Sequence, residues 1–152
     1  MQRIEELISV APVFEGLAPE HLALIAGCGR NEHMPAGTML LREGQPAERF
    51  FLIRRGSVAV EVHAPGRGTL VIETLHAGDP VGLSWLFAPY RWQFDTRAVE
   101  PCELVAFDGA CLRRKCDEDH ELGYQLMSRF VANVISRFQA TRFQLLDVYG
   151  HA

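Results

Sequence analysis

The segment SVAVEVHAPGRGTLVIETL, residues 57–75, decides the fold class that this sequence predicts. Its valines, Val58, Val60 and Val62, alternate with other residues, and a side-chain period of two is typical of a strand with one buried face. A glycine-rich reversal, residues 64–68, leads into TLVIETL, which alternates in the same way. The segment therefore predicts two short strands joined by a turn.

Short strands extend on both sides of this segment, from residue 29 to about residue 108. A turn signal about every 8 to 12 residues is typical of a β-barrel, a roll or a sandwich. The last strands span residues 98–107 and are interrupted at Pro101. The glycines that divide this region are Gly37, Gly44, Gly56, Gly66, Gly68, Gly78 and Gly82.

Helices are predicted on both flanks of the β-region. Residues 2–10 have the apolar side of a short amphipathic helix, and Pro12 ends it. A second helix begins at Pro19, because proline suits the first helical turn, and it ends near residues 27–29. Residues 109–152 predict C-terminal helices.

The last helix, expected from Leu122 to Tyr149, carries a heptad seam of side chains spaced alternately by four and three residues. At about 1.5 Å per residue this helix is about 42 Å long, more than a small β-domain can cover. We therefore predict a parallel two-fold homodimer, the alternative being an apolar stripe used wholly within one chain. The predicted dimer interface consists of Met127, Val131, Val134, Phe138, Thr141, Leu145 and Val148.

Length, composition and charge indicate a single domain covering residues 1–152. A chain of 152 residues can bury one core but not two comfortable ones. Its 48% apolar and 22% charged residues are ordinary values for a globular protein. The formal net charge of -4 offers no basic surface for DNA phosphates, so we predict no direct DNA binding.

Targeting signals and cysteine usage indicate a cytoplasmic protein. The N-terminus is acidic where a signal peptide needs an apolar run, and no later segment approaches the ~20 apolar residues of a membrane span. No CxxC pair is present, and a cytosol keeps thiols reduced, so we expect buried or idle thiols rather than a metal or redox site. The cysteines are Cys28, Cys102, Cys111 and Cys116.

Catalytic and metal-binding patterns are weak. A hydrolase requires a nucleophile, a base and an acid in contact, and Ser84 is not part of a nucleophile-elbow pattern. The six histidines are dispersed without the spacing of metal ligands. We therefore predict that the protein is not an enzyme and holds no metal.

Four motifs together carry a resemblance to a known family. They are LLREGQPAERFFLIRRGSVAVEV at 40–62, VFEGLAPEHLALIA at 13–26, HAGDPVG at 76–82 and RAVEPCELVAFD at 97–108. From about residue 4 to its end, the chain resembles the cyclic nucleotide-binding domain of the catabolite activator/Fnr-type superfamily.

The resemblance implies a mainly β fold with α-helices: a double-stranded β-helix, or jelly-roll-like β-roll, at residues 29–108. Short N-terminal helices, residues 1–28, precede the roll. C-terminal helices, residues 109–152, follow it and include a long dimerisation helix. The phosphate-binding cassette corresponds to residues 78–99, and the implied ligand is cAMP, cGMP or another cyclic nucleotide.

The cassette departs from the family pattern at its charged positions. Gly82 occupies the glycine position, but Leu83 follows where the family has a glutamate for the ribose hydroxyl. Counting back from the exit strand places Trp92 at the phosphate-binding arginine and Gln93 at the serine or threonine beside it. Arg91 lies one place early and could replace the missing arginine if the loop shifts by one residue.

Two interpretations of the cassette follow: a pocket adapted to another small molecule, or a collapsed pocket. The indoles of Trp85 and Trp92 could stack on a flat ring or fill the core. Thr141 matches the part of the long helix that reaches the purine in the family, and it also lies on the seam. The candidate ligand-binding residues are Gly82, Leu83, Ser84, Arg91, Trp92, Gln93 and Thr141.

These features together predict a stand-alone sensory module. DNA-binding members of the superfamily continue into a helix-turn-helix domain, whereas this sequence ends at LLDVYGHA. We expect a phosphate-containing small ligand whose binding is signalled through the homodimer to a separate, unidentified protein. The alternative is a degenerate pseudo-sensor that acts as a dimeric protein-interaction module.

Overall fold

The computed structural model describes residues 3–150, and its short N-terminal helices lie where the sequence predicts them. Helix α1 spans Ile4–Ser9 and α2 spans Pro19–Ala26, with one 3-10 turn at Pro12–Phe14 between them. The beginning of the first predicted helix, Gln2, lies outside the described residues.

Eight strands form two antiparallel four-stranded sheets, which confirms the mainly β fold class. The first sheet has the order β1-β8-β3-β6 and the second has the order β2-β7-β4-β5. The strands are β1 Gly29–Met34, β2 Met39–Leu41, β3 Arg49–Arg55, β4 Val58–Ala64, β5 Gly68–Leu75, β6 Pro80–Val81, β7 Asp95–Ala98 and β8 Cys102–Asp108.

The segment that indicated the fold forms the hairpin of β4 and β5. Val58 and Val60 are buried, as their alternation predicts. Ala59 and Glu61, on the other face of β4, are also buried, whereas Val62 is only partly buried. Strand β5 is at the edge of its sheet, and Leu70 and Val71 are therefore exposed despite their apolar side chains.

A stack of aromatic rings joins the sheets to the C-terminal helices. The Phe50 ring lies parallel to Trp85 at a centroid distance of 4.7 Å and to Phe107 at 4.5 Å. Phe130 meets the Phe50 and Trp85 rings edge-on at 5.8 and 6.1 Å. All four side chains are buried, so a single cluster connects the β-roll, the cassette and the last helix.

Two helices end the chain: α3 at Gly109–Glu118 and α4 at His120–Gly150. Asp119 lies between them, and its carboxylate accepts a hydrogen bond from the Leu122 amide at 3.1 Å, which caps the first turn of α4. Within residues 3–150, no helix combines the length and apolarity that are needed to cross a membrane.

Only the first part of α4 has side chains buried against the rest of the chain. Leu122, Leu126 and Phe130 are buried, whereas no residue from 131 to 150 is, a stretch of about 30 Å of helix. The side chains of the predicted seam are exposed or half-exposed in this single chain. Packing within one chain therefore leaves most of this apolar stripe exposed.

The cysteines correct the sequence-based expectation of idle thiols. Cys28 and Cys111 form a disulfide with their Cα atoms 5.9 Å apart, although 83 positions separate them in the chain. Cys102 and Cys116 remain free. Sequence spacing could not reveal the pair, because the fold brings the end of α2 beside the first turn of α3.

Candidate functional site

A cavity of about 440 Å³ lies between the second sheet, the cassette and α4. Most of its lining is apolar, with charged side chains contributed only by Glu73 and Arg137. The lining residues are Leu41, Val60, Ile72, Glu73, Leu75, Val81, Gly82, Leu83, Ser84, Phe87, Trp92, Gln93, Phe94, Thr96, Val134, Arg137, Phe138 and Thr141.

Gly82 allows the cassette to fold tightly against the sheet. Its φ is +84°, a conformation that favours glycine. A Cβ at this position would lie 2.7 Å from Cζ3 of Trp92 and 2.6 Å from Cδ1 of Leu41. The indole of Trp92, only 6% exposed, therefore fills the space directly beside Gly82.

Two of the cassette side chains considered from the sequence do not line the cavity. Arg91 is exposed, and its guanidinium donates a hydrogen bond to the Gly44 carbonyl at 2.9 Å. Trp85 is completely buried in the aromatic cluster, where it acts as a core residue instead of a surface on which a ligand could stack. The cassette thus directs Trp92 inward and Arg91 outward.

The structure brings the other six candidate ligand-binding residues together around the cavity. Leu83 and Ser84 lie at the beginning of a single 3-10 turn, Ser84–Leu86. The Gln93 amide donates to the Arg91 carbonyl at 3.3 Å. The Thr141 hydroxyl donates to the Arg137 carbonyl at 3.1 Å, so it has a partner within its own helix.

Sequence analysis missed an ion pair in the wall of the cavity. Nε and Nη2 of Arg137 on α4 donate to the two carboxylate oxygens of Glu73 on β5, at 2.7 and 2.8 Å. The two residues are 64 positions apart, and neither belongs to a recognisable motif. Only the packing of α4 along the edge strand brings them together.

Thr96 is the second polar feature that the sequence did not reveal. Its side chain lines the cavity and is 4% exposed, yet its hydroxyl finds no hydrogen-bond partner within residues 3–150. An unpaired buried hydroxyl costs free energy that a bound hydrogen-bonding group would recover. Thr96 therefore leaves one unpaired hydroxyl in the wall of a mainly apolar space.

We expect the Glu73–Arg137 pair to stabilise the contact between β5 and α4. Glu73→Gln, Arg137→Gln and the double variant should give a coupling free energy of about 1 kcal/mol, because the bidentate pair is partly buried. Chemical denaturation at one chain concentration measures it. Arg55 and Glu103, 3.7 Å apart with the Arg55 side chain largely exposed, are the control pair. Equal coupling in the two pairs would contradict the stabilising role of Glu73.

The charges of the lining limit the chemistry of the cavity. The guanidinium of Arg137 is already satisfied by Glu73, so the described lining offers no unpaired cation to a buried phosphate. Within the described part of the chain, no group of three or more His, Cys, Asp or Glu side chains could hold a metal ion. The arrangement is suited to an uncharged ligand that is mostly apolar.

Comparison with known proteins identifies the family of this fold. Residues 31–119 match the family model described as "Cyclic nucleotide-binding domain". The CRP-like cAMP-activated global transcriptional regulator of Mycobacterium tuberculosis is 23% identical over 145 residues, which are 95% of this chain and 63% of that protein. The chain thus spans less than two thirds of this relative's length.

Solved structures show the same architecture. A protein of Geobacter metallireducens, described as cyclic nucleotide-binding, is 28% identical, with a TM-score of 0.80 over 91% of this chain and 99% of that one. A cyclic nucleotide-binding domain from Methylobacillus flagellatus is 21% identical, with a TM-score of 0.80 over 95% of this chain and 82% of that one. The relatives found in these comparisons are regulators and binding domains rather than enzymes.

Proposed function

Because the chain belongs to the cyclic nucleotide-binding domain family, we propose that it is a sensory module whose cavity binds a small ligand and transmits binding through α4. The fold of the family and an open cavity of about 440 Å³ in front of the cassette support this function. A collapsed cassette would leave no such space. The chemistry of the lining residues restricts the class of ligand that the cavity can bind.

The position of Trp92 carries the assignment of ligand class. The resemblance places a phosphate-binding arginine there, and this chain instead packs an apolar ring against Gly82. Leu83 cannot accept a hydrogen bond from a ribose hydroxyl, and Arg91 is directed away from the cavity. The proposed ligand is therefore small, uncharged and largely apolar, in place of a cyclic nucleotide, with a hydrogen-bonding group for Thr96.

Helix α4 links the cavity to a proposed homodimer. Val134, Phe138 and Thr141 line the cavity and also belong to the predicted seam. A ligand that contacts these side chains therefore changes the surface that α4 presents to a second chain. Binding and dimer packing are coupled if the ligand favours one of two arrangements of α4.

Ligand titrations of the purified chain test this function. We expect indole, which is uncharged and mostly apolar, to raise the melting temperature, because a ligand that binds only the folded state stabilises it. Adenosine, which is uncharged but carries polar ribose hydroxyls, is the reference for cAMP. cAMP, which adds a charged cyclic phosphate to adenosine, should produce a smaller shift at the same concentration. Isothermal titration should give the same order of affinity.

The Glu73→Gln variant tests the reason for this preference. It leaves Arg137 without its carboxylate partner, so the affinity for cAMP should rise roughly tenfold while that for adenosine stays the same. Glu103→Gln, which breaks the exposed control pair, should change neither affinity. Tight cAMP binding by the unmodified chain would overturn the uncharged-ligand assignment. No response to any compound would instead favour the degenerate interaction module.

A further inference from the structure

A second pocket, of about 330 Å³, opens where α2, β1 and α3 meet. It shares no lining residue with the ligand cavity. Both half-cystines of the disulfide, Cys28 and Cys111, belong to its wall. The disulfide therefore lies between the edge of the hydrophobic core and the wall of this pocket.

Both cysteines lie where a small molecule in the pocket would be next to them. Cys28 follows α2 directly and is 8% exposed, and the glycines on either side of it, Gly27 and Gly29, also line the pocket. Cys111 lies in the first turn of α3 and is partly exposed. Because thiol–disulfide exchange requires a thiolate to approach a sulfur atom, this access is the first condition for reactivity.

Charged groups around the pocket favour an anion. Arg30 and Arg49 line it, and Lys115 borders it beside Gly27 while donating to the Leu24 carbonyl at 2.7 Å. Two carboxylates oppose these three cations. Glu32 pairs with both arginines, and Asp108 accepts the Cys111 amide at 2.9 Å. Among these five groups, the cations outnumber the carboxylates by one.

We propose that Cys28–Cys111 is a thiol–disulfide exchange site that small anionic thiols reach through this pocket. The thiolate of such a compound attacks one half-cystine, forming a mixed disulfide and releasing the other cysteine as a thiolate that takes a proton from water. A second thiolate then attacks the mixed disulfide. This attack forms a disulfide between the two small-molecule sulfurs and releases the second cysteine as a thiolate, which also gains a proton. Two thiols are oxidised and the protein disulfide is reduced.

The free cysteines provide internal references for this reaction. Burial, together with Asp117 and Asp119, raises the pKa of Cys116 to about 11. Burial also raises the pKa of Cys102. A raised pKa leaves less thiolate at neutral pH, so neither cysteine competes as an attacking group.

Reduction of the full, folded chain tests the proposal. We would treat it with 2-mercaptoethanesulfonate, which is anionic, or with neutral 2-mercaptoethanol, at equal thiolate concentrations. Alkylation followed by mass spectrometry identifies the released thiols. The expected result is release of Cys28 and Cys111 without denaturant, faster with the anionic thiol, by a ratio that falls as salt is added.

Two matched substitutions separate the role of the pocket from general charge. Arg30→Gln should lower the rate with the anionic thiol roughly threefold and leave the rate with the neutral thiol unchanged. Arg67→Gln, in the exposed turn between β4 and β5, should alter neither rate. The proposal would be overturned if the two variants reacted with the anionic thiol at equal rates. It would also be overturned by reduction that occurs only after unfolding, or by free Cys28 and Cys111 in protein purified without reductant.

Discussion

Replacing Trp85 with alanine is expected to lower the free energy of unfolding by about 3–5 kcal/mol, a typical cost for truncating a buried tryptophan. The indole is completely buried between the parallel Phe50 ring and the edge of Phe130, so truncation leaves a cavity where three parts of the fold meet. Chemical denaturation at a fixed chain concentration measures the loss.

Two other substitutions determine whether this loss comes from ring packing. Trp85→Phe retains an aromatic ring and removes an indole N–H that has no partner among the described residues, so it should cost less than about 1.5 kcal/mol. Phe87→Ala changes a half-exposed ring two positions later and should cost less than about 1 kcal/mol. A similar loss in all three variants would contradict the proposed role of the aromatic cluster.

Replacing Phe138 with glutamate should raise the dissociation constant of the proposed homodimer at least about 100-fold. Phe138 lies on the seam and is 66% exposed in the single chain. In a two-fold dimer the change occurs twice, removing two buried rings and placing two carboxylates near each other. Sedimentation equilibrium over a range of chain concentrations measures the constant.

Phe143→Glu is the matched control for this prediction. Phe143 is 62% exposed on the same helix, but it lies five residues beyond Phe138 and outside the heptad seam. The same change of residue there should leave the dissociation constant within a few-fold of the original. The predicted seam would be ruled out if Phe143→Glu dissociated the dimer and Phe138→Glu did not. It would also be ruled out if the Phe138→Glu dimer persisted at low micromolar concentration.

The mainly β class and its flanking helices could be predicted from short-range patterns, whereas the β-roll was implied by the family resemblance. Alternation over Val58 and Val60 indicated a strand with a buried face, and Pro19 and Gly27 indicated the ends of a short helix. These signals act within a few residues, since they reflect backbone geometry and the burial of one face. The exposed part of β5 was harder to foresee, because an edge position depends on which strands pair.

The candidate site could be predicted only in part. The resemblance implied the position of the cassette, with Leu83 and Trp92 where the family has polar groups. It did not show that Arg91 is directed outward or that Trp85 is a core residue, because both outcomes depend on how the loop packs on the sheet.

The sequence by itself determined the mainly β class of this protein and the heptad pattern of its last helix. Only the tertiary structure decided that Glu73 meets Arg137 in the wall of the cavity, that Thr96 is left unpaired and that Cys28 joins Cys111. The physical reason is the range of each effect. Periodicity and turn residues act over a few positions, whereas these contacts require the whole chain to fold before the side chains meet.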